Sequence, residues 1–150
     1  MNTNLLSLTG FKLSIESGDF KNTEYFAVSA SFPSVSLTEV AANYRNNQGF
    51  VPGDRLAYDP ITIRVAIDEN LNTYNEMFGW MLHNTKSDVL KSHDIALSFI
   101  TSHNNISRVI RLVDAFPTNL GGVEFNVQSS ETEYAFVDVT FRYDYFEFLE

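Results

Sequence analysis

The run from Tyr134 to Tyr145 leaves this chain few options. Val137, Val139, Phe141, Tyr143 and Tyr145 share one face of an extended strand, and Phe136, Asp138, Thr140, Arg142 and Asp144 share the other. A period of two is the signature of a strand, since a helix would scatter these residues around its circumference. Such a strand has to join a sheet that packs its apolar side inward and shows its polar side to water. Its edges must also be covered, because open strand edges template aggregation. Closure of a sheet into a barrel covers edges, and so does a contact between subunits whose rotation closes into a ring.

Shorter alternating runs precede it. Phe11, Leu13 and Ile15 form one, and Phe26, Val28, Ala30 and Phe32 a second. Residues 35–40 alternate again, followed by Ile61, Ile63, Val65 and Ile67, then by Ile95, Leu97 and Phe99. A strand over 109–113 and a short one at Val123, Phe125 and Val127 complete the set, with 116–122 read as a break between them. With 13 Phe and 7 Tyr, the chain suits sheets, where rings pack across strands. One helix is predicted at 70–82, capped by Asp68 or Asn70, with Leu71, Tyr74, Phe78 and Met81 or Leu82 as its apolar stripe and Trp80 beside it. The expected architecture is therefore mainly β: an antiparallel sandwich or barrel with one flanking α-helix. Residues 1–150 form a single domain, and residues 1–10 an N-terminal arm. The expected core holds Phe26, Val28, Ile63, Val65, Phe78, Leu97, Val139, Phe141 and Tyr143.

Residues 41–59 read differently. Asn46-Asn47-Gln48-Gly49 and Pro52-Gly53-Asp54 are turn material. The segment is either a long polar loop, which in a compact domain usually has a function, or a hairpin with arms at 37–44 and 50–58.

Chemistry is poorly represented. The chain has no Cys, hence no disulfide and no thiolate. His83, His93 and His103 lack a metal-site spacing. No phosphate-binding glycine loop and no nucleophile elbow occur. Asp68-Glu69 reads as a helix cap rather than a catalytic pair. The formal net charge of -9, without a dense basic cluster, disfavours gripping nucleic acid or anionic lipid. The start of the chain does not read as a signal peptide, and no apolar run is long enough for a spanning helix. Three classes remain: a self-assembling structural subunit, a monomeric binding module using its aromatics, and, least supported, an enzyme.

The C-terminal run PTNLGGVEFNVQSSETEYAFVDVTFRYDYFE resembles the end of the tail tube proteins of contractile-tailed bacteriophages. The likeness lies in Phe116-Pro117-Thr118-Asn119, Gly121, the strand at 123–127, the polar turn at 128–133 and the last strand at 134–145. Pro52-Gly53-Asp54-Arg55, Asp68-Glu69, Trp80 and Glu16-Ser17-Gly18-Asp19-Phe20 also resemble segments of the family. Residues 86–105 and the N-terminal stretch match loosely or not at all.

The resemblance implies a virion protein of a phage tail, assembled in the host bacterial cytoplasm as hexameric rings that stack into a tube. It implies no cofactor and no catalytic role. Implied partners are further copies of the chain, a tail sheath protein, a baseplate tube-initiator, a tape measure protein inside the lumen, and double-stranded DNA in transit without specific binding. Segment 43–58 would reach neighbouring subunits through Asn43, Arg45, Asn47, Phe50, Pro52, Asp54, Arg55 and Tyr58. The helix would face outward toward the sheath. Some of Glu124, Glu131, Glu133, Asp138 and Asp144 would face the channel, where negative charge keeps phosphate from sticking. The same resemblance extends to baseplate proteins that start or end a tube, and to inner tubes of contractile injection and type VI secretion systems.

Overall fold

A computed structural model describes residues 10–16, 20–43, 47–101, 105–123 and 134–149, with Ser107 described by its backbone alone. Its elements, in chain order, are β1 (Phe11–Ile15), α1 (Lys21–Phe26), β2 (Ala27–Ala30), β3 (Val35–Asn43), β4 (Gln48–Tyr58), β5 (Ile61–Ala66), α2 (Asn72–Lys86), β6 (His93–Ile100), β7 (Ile106–Leu120), β8 (Phe136–Arg142) and β9 (Tyr145–Leu149). The alternation seen in the sequence thus becomes a mainly antiparallel β protein with a flanking helical region.

Seven strands form one sheet in the order β1-β6-β7-β8-β5-β2, with β9 also on β7; β3 and β4 form a separate two-stranded sheet. Strand β7 serves both halves of the large sheet. Its first part pairs with β6 and β9, and its second part, from Phe116, pairs with β8. The change of direction falls at Asp114, which has a φ of 54°. Aspartate tolerates this left-handed region better than most residues. Its N–H donates to Oδ1 of Asp94 on the adjoining strand at 3.1 Å. Opposite the bend, Tyr143-Asp144 interrupts the last strand, and the Asp144 N–H donates to the Val113 carbonyl at 3.0 Å. The single long strand expected through Tyr145 is therefore two strands, β8 and β9, because it follows β7 around the corner between the halves. The expected break at 116–122 is likewise corrected in part: Phe116–Leu120 continues β7 and pairs with β8.

Register carries the apolar residues into rows. Leu13 lies opposite Leu97, which lies opposite Ile110; Ile15, Ile95 and Leu112 form the parallel row. In the other half, Ile63 faces Val139 and Val65 faces Val137. All of these side chains are buried, and together with Met77, Trp80 and Phe20 they form one continuous core. A buried side chain of this kind contributes about 1.5–3 kcal/mol through removal from water. A one-residue slip would turn every one of them to the solvent face, which is why the register is firmly specified.

The helical region differs from the expectation in three ways. Helix α2 runs over Asn72–Lys86 rather than 70–82. Asp68 does cap it, accepting from the Asn72 N–H at 2.7 Å. Its buried face is Thr73, Met77 and Trp80, while Phe78 is 49% exposed and Leu71 and Leu82 are exposed as well. Trp80 decides the orientation. Its ring stacks on Phe20 at 4.5 Å between centroids and lies 6.0 Å from Phe141, and its Nε1–H donates to the Lys91 carbonyl at 2.7 Å. An indole buried with its N–H satisfied outweighs three rings and chains that can sit at a surface.

The third difference is α1, which takes Tyr25 and Phe26 from the strand expected through Phe32 and leaves Ala27–Ala30 as the short β2. Its first turn is held from a distance: Glu76 of α2 accepts from the Thr23 N–H at 3.2 Å, the Thr23 hydroxyl at 2.9 Å and Asn22 Nδ2 at 2.9 Å. Glu24 accepts in turn from the Ile15 N–H at 2.6 Å. Hydrogen bonds to a charged acceptor contribute about 1.5–3 kcal/mol each, enough to hold a six-residue helix that would not form alone. As a result Phe26 is only half-buried, and Val28, in the short β2 that follows, is 50% exposed. Both were expected in the core.

Replacing Phe141, fully buried, by Ala should lower unfolding free energy by about 3–5 kcal/mol in chemical denaturation, through lost contacts and the cavity left behind. Phe78→Ala should change it by no more than about 0.5 kcal/mol. Equal losses at the two positions would contradict the assigned core.

Candidate assembly surface

The feature that stands apart from the core is the β3–β4 hairpin. None of its described residues is buried, and only Ala42, Gly49, Gly53 and Tyr58 are even half-covered. Leu37 and Leu56 lie opposite each other, as do Val40 and Val51. These four residues, Val35 and Phe50 (61% exposed) leave apolar surface open to solvent. A lone two-stranded hairpin is marginal in water, and a contiguous exposed apolar surface marks an interaction site.

The hairpin carries a bend written into its sequence. Between the pairs Leu37–Leu56 and Glu39–Pro52 the register shifts, so that Thr38 alone opposes Gly53, Asp54 and Arg55. The Thr38 hydroxyl donates to the Arg55 carbonyl at 3.2 Å. Gly53 is required here by proximity, since a Cβ at this position would lie 2.7 Å from the Thr38 carbonyl oxygen. The Pro-Gly-Asp-Arg stretch is thus a bulge, the usual device for bending a strand and ending its pairing with anything else.

At the hairpin base, the Asp59 N–H donates to the Ser34 carbonyl at 3.0 Å and the Ser34 hydroxyl bonds the Asp59 carboxylate. The Tyr143 hydroxyl reaches across from the β8–β9 corner and donates to the Asp59 carbonyl at 2.8 Å. Burial first, then the nearby Asp59 carboxylate and Tyr58, push the Tyr143 phenol up to about 12, with Arg142 acting weakly in the other direction.

Of the residues expected to reach neighbours, Asn43, Phe50, Pro52, Asp54 and Arg55 are exposed on the hairpin, Asn47 is exposed just before β4, and Tyr58 is half-buried at the hairpin base. Arg45 lies outside the described residues. Of those expected to face a channel, Asp138 is exposed on β8 directly opposite Arg64 of β5, and Asp144 is exposed at the strand corner. Glu124, Glu131 and Glu133 lie outside the described residues, as do residues 1–9 of the expected arm.

A second uncovered patch, missed by sequence reasoning, is the outer side of α2. Leu71, Phe78 and Leu82 are exposed at helical spacing, and Val89 and Leu90 in the following loop are exposed as well. The signal was present: two apolar stripes compete at helical spacing, and only one can be buried. Among the described residues no group of three His, Asp or Glu side chains comes together to hold a metal. His83 is exposed on α2, and His93 sits 5.1 Å from the Trp80 ring in an aromatic cluster. His103 lies outside the described residues.

No protein-family model matches the chain, and no curated protein matches its sequence. Solved structures do match in fold. A chain of the sheath–tube complex of an extracellular contractile injection system, PVC, in its extended state superposes with a TM-score of 0.77 at 18% identity, covering 98% of this chain and 93% of that one. A chain of the tube-terminating cap of the anti-feeding prophage gives 0.75 at 17% identity, with 99% and 93% covered. A chain of the anti-feeding prophage baseplate gives 0.71 at 11% identity, with 99% and 97% covered. The chain shares its fold, over nearly its whole length, with these chains of an extracellular contractile injection system and of the anti-feeding prophage.

Tyr143 predicts a pH dependence with a definite sign. Its folded value of about 12 exceeds the ordinary 10, so the folded form holds the phenol proton more tightly. The stability it contributes is fully present below pH 10 and is lost as the pH rises from about 10 to about 12. Tyr143→Phe should remove this component from an alkaline denaturation profile. A profile unchanged by the substitution would contradict the assignment.

Proposed function

We propose that this chain is a structural, non-catalytic subunit of the inner tube of a contractile tail-like assembly, and that the β3–β4 hairpin joins it to neighbouring copies. One observation carries the reading: an apolar hairpin that the chain itself leaves uncovered, on a fold shared across its whole length with components of such assemblies. Rings of subunits would cover the hairpin and the open sheet edges together. The outer face of α2 is offered as the seat for a sheath protein, as Phe78 and Leu82 are exposed on it away from the hairpin. Asp138 and Asp144 are assigned to the channel wall, where the overall charge of -9 would weaken adhesion of anionic cargo.

The fold likenesses support an injection-system tube better than a DNA-conducting phage tail, because the matching chains come from injection-system and anti-feeding prophage particles. They include a cap and a baseplate as well as a tube complex, so a role in starting or ending the tube is the second reading. Assembly behaviour separates the two. Purified protein, alone or on a seeding complex, should give six-fold rings that stack into long hollow tubes in electron micrographs. Rings that never propagate would favour the cap or baseplate role, and a stable monomer under both conditions would contradict both.

A double substitution, Phe50→Asp with Leu56→Asp, should leave monomer stability within about 0.5 kcal/mol of the parent, because both side chains are exposed. It should abolish tubes. Normal tubes from the folded double variant would exclude the hairpin from the assembly contact.

A further inference from the structure

The hairpin is separated from the large sheet at both ends by proline. Pro33 precedes β3, and Pro60 follows Asp59 at the end of β4. Proline has no N–H to donate to a ladder, so neither end can pair continuously into the body. The hairpin's direction must therefore be set by other contacts, and most of these meet at the corner between β8 and β9. The Tyr143 hydroxyl donates to the Asp59 carbonyl at 2.8 Å. The Tyr58 ring lies edge-on to Tyr143 at 6.0 Å and to Phe146 at 5.4 Å. From the other end of the hairpin, Phe32 lies edge-on to the same Phe146 at 5.9 Å. Tyr143 is 6% exposed, so its hydroxyl sits where an unpaired donor would be costly. Both stems of the hairpin thus rest on Tyr143 and Phe146 of the C-terminal ribbon, with Phe32 also stacked on Phe99 of β6 at 5.8 Å, while the strands beyond them are exposed.

The geometry points to Tyr143 as a positioning residue: through Asp59, and with Phe146 as the seat for Tyr58 and Phe32, it fixes the angle at which the hairpin leaves the body and so the geometry in which copies can meet. This deepens the assembly reading and rests on it for the consequence, though not for the angle itself. A lever of this kind matters because β4 is 11 residues long. At about 3.4 Å per residue, a small rotation at the base displaces the far end by several ångströms.

The test uses the full chain, whose lack of cysteine makes introduced thiols unique. Spin labels are placed at Asn43→Cys, exposed at the far end of β3, and Lys12→Cys, exposed on β1. Their distance distribution is measured on dilute, unassembled protein, once in the otherwise unaltered chain and once with Tyr143→Phe added. Tyr143→Phe should broaden the distribution by roughly twofold or more and raise the concentration needed for assembly of unlabelled protein by about 2- to 10-fold, the range for one lost hydrogen bond. Phe32→Leu, at a site already largely exposed, should broaden it in the same direction and keeps the test open if the first variant fails to fold. A distribution as narrow in the folded variants as in the parent overturns the proposal, even if the melting temperature falls, because a purely structural role would lower stability without freeing the hairpin. A parent chain that never assembles would instead overturn the tube reading, and the distance result would still decide the positioning role.

Discussion

Strand β7 has to serve two half-sheets, and the rest of the molecule is arranged around that requirement. Its bend at Asp114 forces a matching bend in its antiparallel partner, which is why the C-terminal ribbon breaks at Tyr143-Asp144 and resumes as β9. The two half-sheets then contribute to one core rather than two, with Phe141 and Trp80 in contact within it. Asp94 accepts from the backbone at the bend and lies near Arg111, which also pairs with Glu147 of β9. The corner is thus held by charge on one side and by Tyr143 on the other. Exposed ion pairs of this kind contribute little by themselves; the backbone bonds and the apolar rows do most of the stabilising.

The hairpin stands in contrast to this. The core satisfies its own apolar surface, but Val35, Leu37, Val40, Phe50, Val51 and Leu56 stay exposed. A monomer that leaves such a segment uncovered has a free-energy incentive to associate. A contact in which the hairpin of one copy meets a different part of the next would be heterologous, and heterologous contacts give rings or filaments. The proline-flanked base and the aromatic seat on Phe146 give that association a direction, so that the covering contact repeats at one angle instead of many.

Much of this was legible in the sequence where local pattern and tertiary structure agree. The alternations at 11–15, 61–67 and 95–99 became β1, β5 and β6, and most of the run at 134–145 became β8, with the expected side chains Ile63, Val65, Leu97, Val139, Phe141 and Tyr143 buried. What failed depended on distant partners. Helix α1 exists because Glu76 caps it from 53 residues away, and no local pattern in Lys-Asn-Thr-Glu-Tyr-Phe announces that. The α2 face was misassigned because Leu71, Tyr74 and Phe78 compete at the right spacing with Thr73, Met77 and Trp80, and Phe20 and Phe141 settle the choice. The last strand's bend depends on Asp114, a residue of an earlier strand. Segment 41–59 was legible either as a polar loop or as a hairpin with arms at 37–44 and 50–58, and the hairpin is what forms; its exposed apolar content showed only once β3 and β4 were seen to lie outside the large sheet.

Hydrogen–deuterium exchange on monomer and assembled particle tests the central claim most directly. The account predicts that amides of Val35–Asn43 and Gln48–Tyr58 exchange fast in dilute monomer and become protected on assembly, while those of Ile61–Ala66 and Phe136–Arg142 are protected in both. A hairpin already as protected in the monomer as the central strands, or one that gains nothing when the chain assembles, would contradict it.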